Sequence, residues 1–218
     1  LSEEGLLTYP KDSGYTRIVL QQLRPAGLSV RLATLDDLAE LAELEGGGSG
    51  TACSASEQTL RCRLSAHPTG QLVALSPDGK VLGACYSQRV VSTEELIGAR
   101  YETELRAHSP AGPLVQLLDV VQRPRANVGN LLRKYLLHLS RLDATVLRVY
   151  AVARCMHQPA NGCSYQAHAD MGVDPGILFH TAEGAVVGKV VPDYWPKDAT
   201  SRRCGDGATS TSRRTQSG

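Results

Sequence analysis

The stretch that decides the fold runs from residue 114 to residue 130 and reads Leu-Val-Gln-Leu-Leu-Asp-Val-Val-Gln-Arg-Pro-Arg-Ala-Asn-Val-Gly-Asn. Residues 114–121 are an apolar run of strand length that follows Gly112 and Pro113, which predicts a central strand buried on both faces. From Val128 to Leu139, apolar residues recur at spacings of three and four, which predicts an amphipathic helix. A second strand pattern follows at 146–152. We therefore predict a right-handed crossover between two parallel strands.

The loop between this strand and helix has the composition of an anion site. The first-turn amides of a helix have no backbone acceptor, and the helix dipole is positive at that end. Arg123 and Arg125 add positive charge, while Asn127 and Gly129 let the backbone approach a ligand closely. A solvated basic turn is the alternative that these residues leave open. The positions that we expect to hold a pyrophosphate or phosphopantetheine are Val120, Val121, Arg123, Arg125, Asn127, Val128, Gly129 and Asn130.

The flanking sequence predicts an α/β domain with a mixed sheet. Upstream lie a strand at 28–32, two helices with capping-box starts, and a hairpin whose turn is residues 76–80. Downstream, Asp174 and Pro175 begin a short helix, and a strand follows at 185–191. We place the domain at residues 28–198, between an extended lead at 1–27 and a tail at 199–218 that we expect to be disordered because it is nearly devoid of apolar residues.

Composition excludes several classes of function. Lysine and arginine number 23 against 22 aspartate and glutamate, so the net charge of +1 gives no global attraction to nucleic acid or to an anionic membrane. No apolar run approaches the roughly 20 residues that a membrane span needs, and we expect an intracellular, cytoplasmic location. The Cys and His residues near position 155 match no zinc spacing, so we expect no metal site.

In this order, the elements resemble the GNAT acyltransferase superfamily. Several blocks further resemble the GNAT-like starter domains, for loading or decarboxylation, of modular polyketide synthases. Together these blocks span about residues 28–198. In chain order they are Gly70-Gln71, Asp78-Gly79-Lys80-Val81-Leu82-Gly83, Tyr86-Ser87-Gln88-Arg89-Val90, Arg154-Cys155, Asp174-Pro175, Phe179-His180, Gly184-Ala185 and Tyr194-Trp195-Pro196-Lys197-Asp198.

The resemblance implies antiparallel N-terminal strands and a splayed parallel strand pair flanked by helices. It also implies a domain that decarboxylates malonyl or methylmalonyl thioesters of coenzyme A or an acyl carrier protein, or transfers the starter acyl group to the carrier. An acyl carrier protein and neighbouring polyketide synthase domains are the implied partners. The substrate is expected between the strands at 114–121 and 146–153, and His180 matches the family's active-site histidine. With an ordinary pKa, that imidazole donates a proton at neutral pH.

The departures from the family pattern fall in the expected substrate pocket, which comprises Ala153, Arg154 and Trp195. Ala153 replaces a threonine whose hydroxyl helps to hold substrate, and Trp195 replaces an arginine. Glu183 stands where the family often has a second histidine, and it is either a base or a solvated carboxylate. Two alternatives therefore stay open: a catalytically degenerate GNAT domain that only binds coenzyme A or carrier protein, and an amine N-acetyltransferase.

Overall fold

A computed structural model describes residues 3–9, 23, 27–47, 54–98, 101–153, 165–192 and 194. The strands are β1 Glu3–Tyr9, β2 Ser29–Leu32, β3 Leu72–Leu75, β4 Val81–Val90, β5 Leu114–Gln122, β6 Arg148–Ala153 and β7 Val186–Pro192. The α-helices are α1 Leu38–Gly46, α2 Glu57–Ala66, α3 Thr93–Gly98, α4 Gly129–Leu142, α5 Tyr165–Asp170 and α6 Pro175–Thr181. None of these helices is long and apolar enough to cross a membrane.

The seven strands form one mixed sheet in the order β2-β3-β4-β5-β6-β1-β7, as the α/β prediction requires. Every neighbouring pair is antiparallel except β5 and β6, which run parallel. Helix α4 connects β5 to β6. The predicted crossover and parallel pair are therefore confirmed.

The parallel pair separates part of the way along. Pairing begins with Leu114 opposite Arg148 and ends with Leu117 opposite Ala151, although β5 continues to Gln122. On the other side of β5, the register with β4 shifts at the same point, which makes Leu118 the extra residue of a β-bulge. A bulge bends its strand and increases the local twist. The bulge therefore turns β5 away from β6 and opens a gap between the two strands.

The N-terminal boundary of the domain differs from the prediction. Strand β1 lies between β6 and β7 and pairs antiparallel with both, so Glu3–Tyr9 belongs to the sheet and not to a lead outside it. Its backbone groups bond to two neighbouring strands, which stabilises a segment that has no strict apolar alternation. The tail at 199–218 lies outside the described residues.

The two faces of the sheet carry separate apolar cores. Helix α4 covers one face through Leu132 and Leu136, which pack against Val115, Leu117 and other side chains of the sheet. Helices α1 and α2 cover the opposite face, where their leucines contact Tyr86 and Leu118. Strand β5 thus contributes Val115, Leu117 and Val120 to the α4 core and Leu118 and Val121 to the other core, so it lies between the two layers.

The Gly70-Gln71 and Tyr86-to-Arg89 blocks are explained by buried hydrogen bonds. The Gln71 side-chain amide donates to the carbonyls of His67 at 2.8 Å and Ser87 at 2.7 Å. The Ser87 hydroxyl donates to the Gly70 carbonyl at 2.7 Å. These contacts fix the segment after α2 against β4.

Replacing Arg89 should destabilise the fold. Its buried guanidinium donates to the Gly112 carbonyl at 2.6 Å, the Asp143 carboxylate at 3.0 Å and the Thr145 hydroxyl at 2.9 Å, which joins β4 to the loops before β5 and β6. We expect Arg89→Met to lower the free energy of unfolding by about 3 kcal/mol. The exposed control Arg61→Met should change it by less than about 0.5 kcal/mol. Urea unfolding measures both, and equal losses would contradict the assigned role.

Candidate functional site

The start of α4 offers backbone amides to a ligand. Arg125 and Asn127 have φ angles of 63° and 54°, so the loop curls tightly before the helix begins. The Gly129 N–H donates to the Gln122 side-chain oxygen at 2.7 Å and is already satisfied. The N–H groups of Val128, Asn130 and Leu131 have no acceptor among the described residues. Of the positions predicted to hold a phosphate, Val128 and Asn130 therefore offer backbone amides, and Leu131 offers a further one.

The two arginines of this loop have different surroundings. Arg123 donates from Nε to the Val81 carbonyl at 2.8 Å and forms an ion pair with Glu43 at 2.8 Å. It thereby links the loop to β4 and α1, while its Nη2 has no hydrogen-bond partner among the described residues. Arg125 is exposed beside the helix start. A phosphate bound at this helix start would therefore meet the exposed guanidinium of Arg125 and the backbone amides.

Of the two strand-end valines, the structure brings one to the helix start. Val120 packs with the α4 core, and a Cβ added at Gly129 would lie 3.5 Å from its Cγ1. Val121 is buried on the opposite face, against the core of α1 and α2. Alternation along the strand therefore separates two residues that were predicted to share one role.

His180 lies near the end of α6. That helix begins at Asp174, whose carboxylate accepts from the N–H groups of Gly176 at 2.8 Å and Ile177 at 3.2 Å, with Pro175 in the first turn. Only 7% of His180 is exposed. Burial, followed by the positive charge of Arg133, lowers its pKa from the ordinary 6.5 to about 3.

This pKa corrects the expectation of an ordinary histidine. At neutral pH the imidazole is uncharged, because its surroundings penalise the protonated form. It still carries one N–H group that donates a hydrogen bond. His180 is thus suited to polarise an oxygen and unsuited to release a proton as an imidazolium.

Arg133 joins the anion site to His180, and the sequence analysis did not select it. The residue is 1% exposed and donates to the Asn130 side-chain oxygen at 2.8 Å. Its guanidinium carbon lies 3.8 Å from the centre of the Phe179 ring. Helices α4 and α6 are therefore neighbours on one face of the sheet. No local motif marks Arg133, since its role depends on contacts with a helix more than 40 residues later in the chain.

Glu183 is neither solvated nor an isolated base. Its side chain is 13% exposed and lies 3.4 Å from both the Arg133 guanidinium and the Lys134 ammonium. The prediction of a solvated carboxylate is wrong, because the end of α6 packs against the side of α4. Glu183 instead balances the positive charge of the two α4 side chains.

The structure describes one of the three predicted pocket residues. Ala153 is 3% exposed and packs in the α4 core at the end of β6. Arg154 and Trp195 lie outside the described residues, as do Cys155, His157 and Cys163 of the cluster considered for zinc. Within the part of the chain that is described, no group of three or more His, Cys, Asp or Glu side chains could hold a metal ion.

The electrostatic link between Arg133 and His180 can be tested by titration. Because the Arg133 charge opposes protonation of the imidazole, Arg133→Gln should raise the pKa of His180 above about 3. Lys134→Gln, which removes a charge from the same helix and the same Glu183 pair, should leave this pKa unchanged. NMR of the imidazole carbon-bound protons across a pH series measures both values. An unchanged His180 pKa in Arg133→Gln would refute the link.

Comparison with known proteins places the fold. No protein-family model and no curated protein matches the chain. Among solved structures, it is similar to the GphF GNAT-like decarboxylase in complex with isobutyryl-CoA, with 32% identity over 79% of this chain and 93% of that one and a TM-score of 0.73. It is also similar to the loading GNATL domain of CurA from Lyngbya majuscula, with 28% identity over 78% and 90% of the two chains and a TM-score of 0.73.

A more distant structure shares the fold alone. A GCN5-related glucosamine N-acetyltransferase region of a fungal β-N-acetylglucosaminidase is 10% identical, with a TM-score of 0.56. The splayed strands, the helix start after β5 and the match along nearly the whole GphF domain agree with one another. The chain therefore belongs to the GNAT superfamily, in which it is similar to a GNAT-like decarboxylase and to a loading domain.

Proposed function

We propose that this domain decarboxylates a malonyl or methylmalonyl thioester carried by coenzyme A or by the phosphopantetheine of an acyl carrier protein. The observation that carries the proposal is the placement of the unpaired α4 amides and of His180 on one face of the sheet, linked by Arg133. The similarity to a GNAT-like decarboxylase and to a loading domain supports it. In this context the carrier protein and adjoining polyketide synthase domains are the proposed partners.

The start of α4 binds the carrier arm in this proposal. The amides of Val128, Asn130 and Leu131 donate to phosphate oxygens, and the exposed Arg125 adds charge. The arm then passes Val120 and enters the gap where β5 leaves β6 beyond Leu117. The thioester therefore reaches the interior from the edge of the α4 face.

His180 acts on the thioester oxygen. When the substrate carboxylate leaves as carbon dioxide, its bonding electron pair moves into the thioester and forms an enolate. The neutral imidazole donates its N–H to the developing oxyanion, and the buried charge of Arg133 stabilises the same negative charge at short range. A neutral donor is effective here because it does not need to lose a proton.

The degenerate alternative is favoured by one observation. Ala153 replaces the family threonine and is enclosed by the α4 core, so it supplies no hydroxyl to the substrate. In that case the domain binds a thioester without turnover. Transfer of the starter group to a carrier thiol would follow decarboxylation, whereas amine N-acetylation would require an acceptor amine.

Turnover should depend on His180. We expect wild-type protein to release carbon dioxide from malonyl-CoA or malonyl carrier protein, and His180→Ala to lower the rate about 10²- to 10³-fold because the oxyanion loses a donor. His138→Gln, a half-buried histidine elsewhere on α4, is the control and should retain the rate. Intact mass spectrometry separates carbon dioxide loss, acyl transfer and amine acetylation from binding alone. Binding without mass change would favour the degenerate domain.

Carrier binding should depend on charge at the α4 start. Asn130→Asp keeps the oxygen that accepts from Arg133 but places a negative charge beside the proposed phosphate site. We expect it to weaken coenzyme A binding about tenfold, as one unfavourable charge contact would. Gln58→Glu adds the same charge on exposed α2 and should have no effect. Calorimetric titration measures both, and equal affinities for the two variants would place the phosphates elsewhere.

A further inference from the structure

The proposed reaction has a second chemical requirement that His180 does not meet. Loss of carbon dioxide leaves an enolate, whose α-carbon must receive a proton before the acyl group is released. The neutral imidazole of His180 donates a hydrogen bond but holds no readily released proton. A different acid near the gap between β5 and β6 is therefore needed.

We propose that Glu45 and Asp119 form a buried acid pair that delivers this proton, with Asp119 as the member beside the gap between the strands. The proposal rests on the decarboxylase function above and names a catalytic group for it. The pair comprises the second-last residue of α1 and the residue that follows the bulge in β5. Arg63 of α2 and Tyr86 of β4 complete the surrounding cluster.

Asp119 is placed by the same bulge that opens the sheet. It lies two residues beyond Leu117, where β5 makes its last pair with β6, and it is directly opposite Tyr86 of β4. Its carboxylate accepts from the Val120 N–H at 2.8 Å, which holds the side chain against its own strand. The residue is half-buried, and its side chain lies on the same face of the sheet as that of its pairing partner Tyr86.

Glu45 and Tyr86 contribute buried oxygens that lack partners. Glu45 is 3% exposed, and one carboxylate oxygen accepts from the Ala55 N–H at 3.1 Å. Its other oxygen and the hydroxyl of Tyr86, which is 0% exposed, have no hydrogen-bond partner among the described residues. Leaving such groups unpaired is costly inside a protein. This arrangement is expected where a substrate group completes the set.

The charges of the cluster favour one retained proton. Burial, and then the Asp119 charge, raise the pKa of Glu45 to about 7, and burial raises the pKa of Asp119. Arg63, with its guanidinium carbon 5.0 Å from the centre of the Tyr86 ring, opposes both shifts but balances only one carboxylate. The two acids therefore titrate as a unit that holds a proton near neutral pH. Such an acid matches the requirement for proton transfer near pH 7.

Cys85 connects this cluster to the site around His180. It precedes Tyr86 on β4 and is fully buried. Burial and the Asp119 charge raise the pKa of its thiol, and the Arg133 charge lowers it. Asp119 and Arg133 are thus both within electrostatic range of one side chain. Asp119 is paired with Tyr86, whose side chain lies in the core under α1 and α2, whereas Arg133, whose charge acts on His180, belongs to α4 on the other face. In the proposed complex, an acyl group in the gap would therefore meet an oxygen donor on one side and an acid on the other.

The proposed step conserves atoms and charge. The substrate C–C bond breaks and carbon dioxide leaves, while the electron pair remains on the enolate. The pair then transfers its proton to the α-carbon, which forms a C–H bond and leaves both carboxylates ionised. Water reprotonates the pair before the next turnover. No oxidant or reductant takes part.

The test follows the configuration of the product in deuterium oxide. Wild-type protein acting on methylmalonyl-CoA should give propionyl-CoA with one deuterium at the α-carbon in a single configuration, because a fixed acid delivers it to one face. Glu45→Gln and Asp119→Asn should lower the rate about 10²-fold and give racemic product. The matched control Glu57→Gln, exposed on α2, should behave as wild type.

Two readouts separate this proposal from the function on which it rests. If wild type releases carbon dioxide and both folded variants keep its rate and its single configuration, the acid pair is refuted. If the wild-type protein releases no carbon dioxide, the decarboxylase proposal fails. In that case, ¹³C NMR titration of the carboxyl groups tests whether Glu45 and Asp119 hold a proton near neutral pH. A carboxyl that titrates near pH 7 in wild type and is absent from Glu45→Gln supports it, and the absence of such a carboxyl in wild type overturns it.

Discussion

The separation of β5 from β6 is the constraint on which the rest of this domain depends. Up to Leu117, the two parallel strands share a ladder of hydrogen bonds, and beyond it they do not. The bulge at Leu118 supplies the bend, because its extra residue cannot be paired with β4 in register. Backbone that would otherwise be sealed inside the sheet thereby faces a gap. The free end of β5 leads directly into the loop and the start of α4.

Burial of charge gives this gap its chemical character. On the α4 face, Arg133 and Glu183 are largely removed from water, and the Arg133 charge keeps the neighbouring imidazole neutral. On the opposite face, two carboxylates share one guanidinium, and burial favours a retained proton. The same physical cause, loss of hydration, thus lowers the pKa of a base on one side and raises the pKa of acids on the other.

Several polar residues in the sequence blocks that resemble the GNAT-like domains have a structural role. Gln71, Ser87 and Arg89 hydrogen-bond the segments that border β4, so they maintain the sheet. Gln116 of β5 donates to the Tyr194 hydroxyl at 2.9 Å and joins the C-terminal end of the domain to the central strand. A sequence block that is specific to a family can therefore consist of residues that stabilise the fold and need not contain catalytic residues.

The candidate site could be predicted in part, and the limit has a physical reason. The anion site at the start of α4 follows from local order along the chain, because a strand, a polar loop and an amphipathic helix place free amides at a known point. Local order does not show which of these groups already have partners. The Gly129 N–H is bonded to the Gln122 side chain, and the Arg123 side chain is bonded to β4 and α1. The lowered pKa of His180 does not follow either, since part of the shift comes from Arg133, a residue of a different helix.

By itself, the sequence determined the class of the fold, the parallel crossover and the location of the helix start, since apolar periodicity and turn residues act over short distances. Only the tertiary structure decided that Glu3–Tyr9 lies between β6 and β7 and that Glu45, Arg63 and Asp119 form one cluster. Pairing partners and electrostatic neighbours are set by packing between segments far apart in the chain. The spacing of residues along a short segment does not predict that packing.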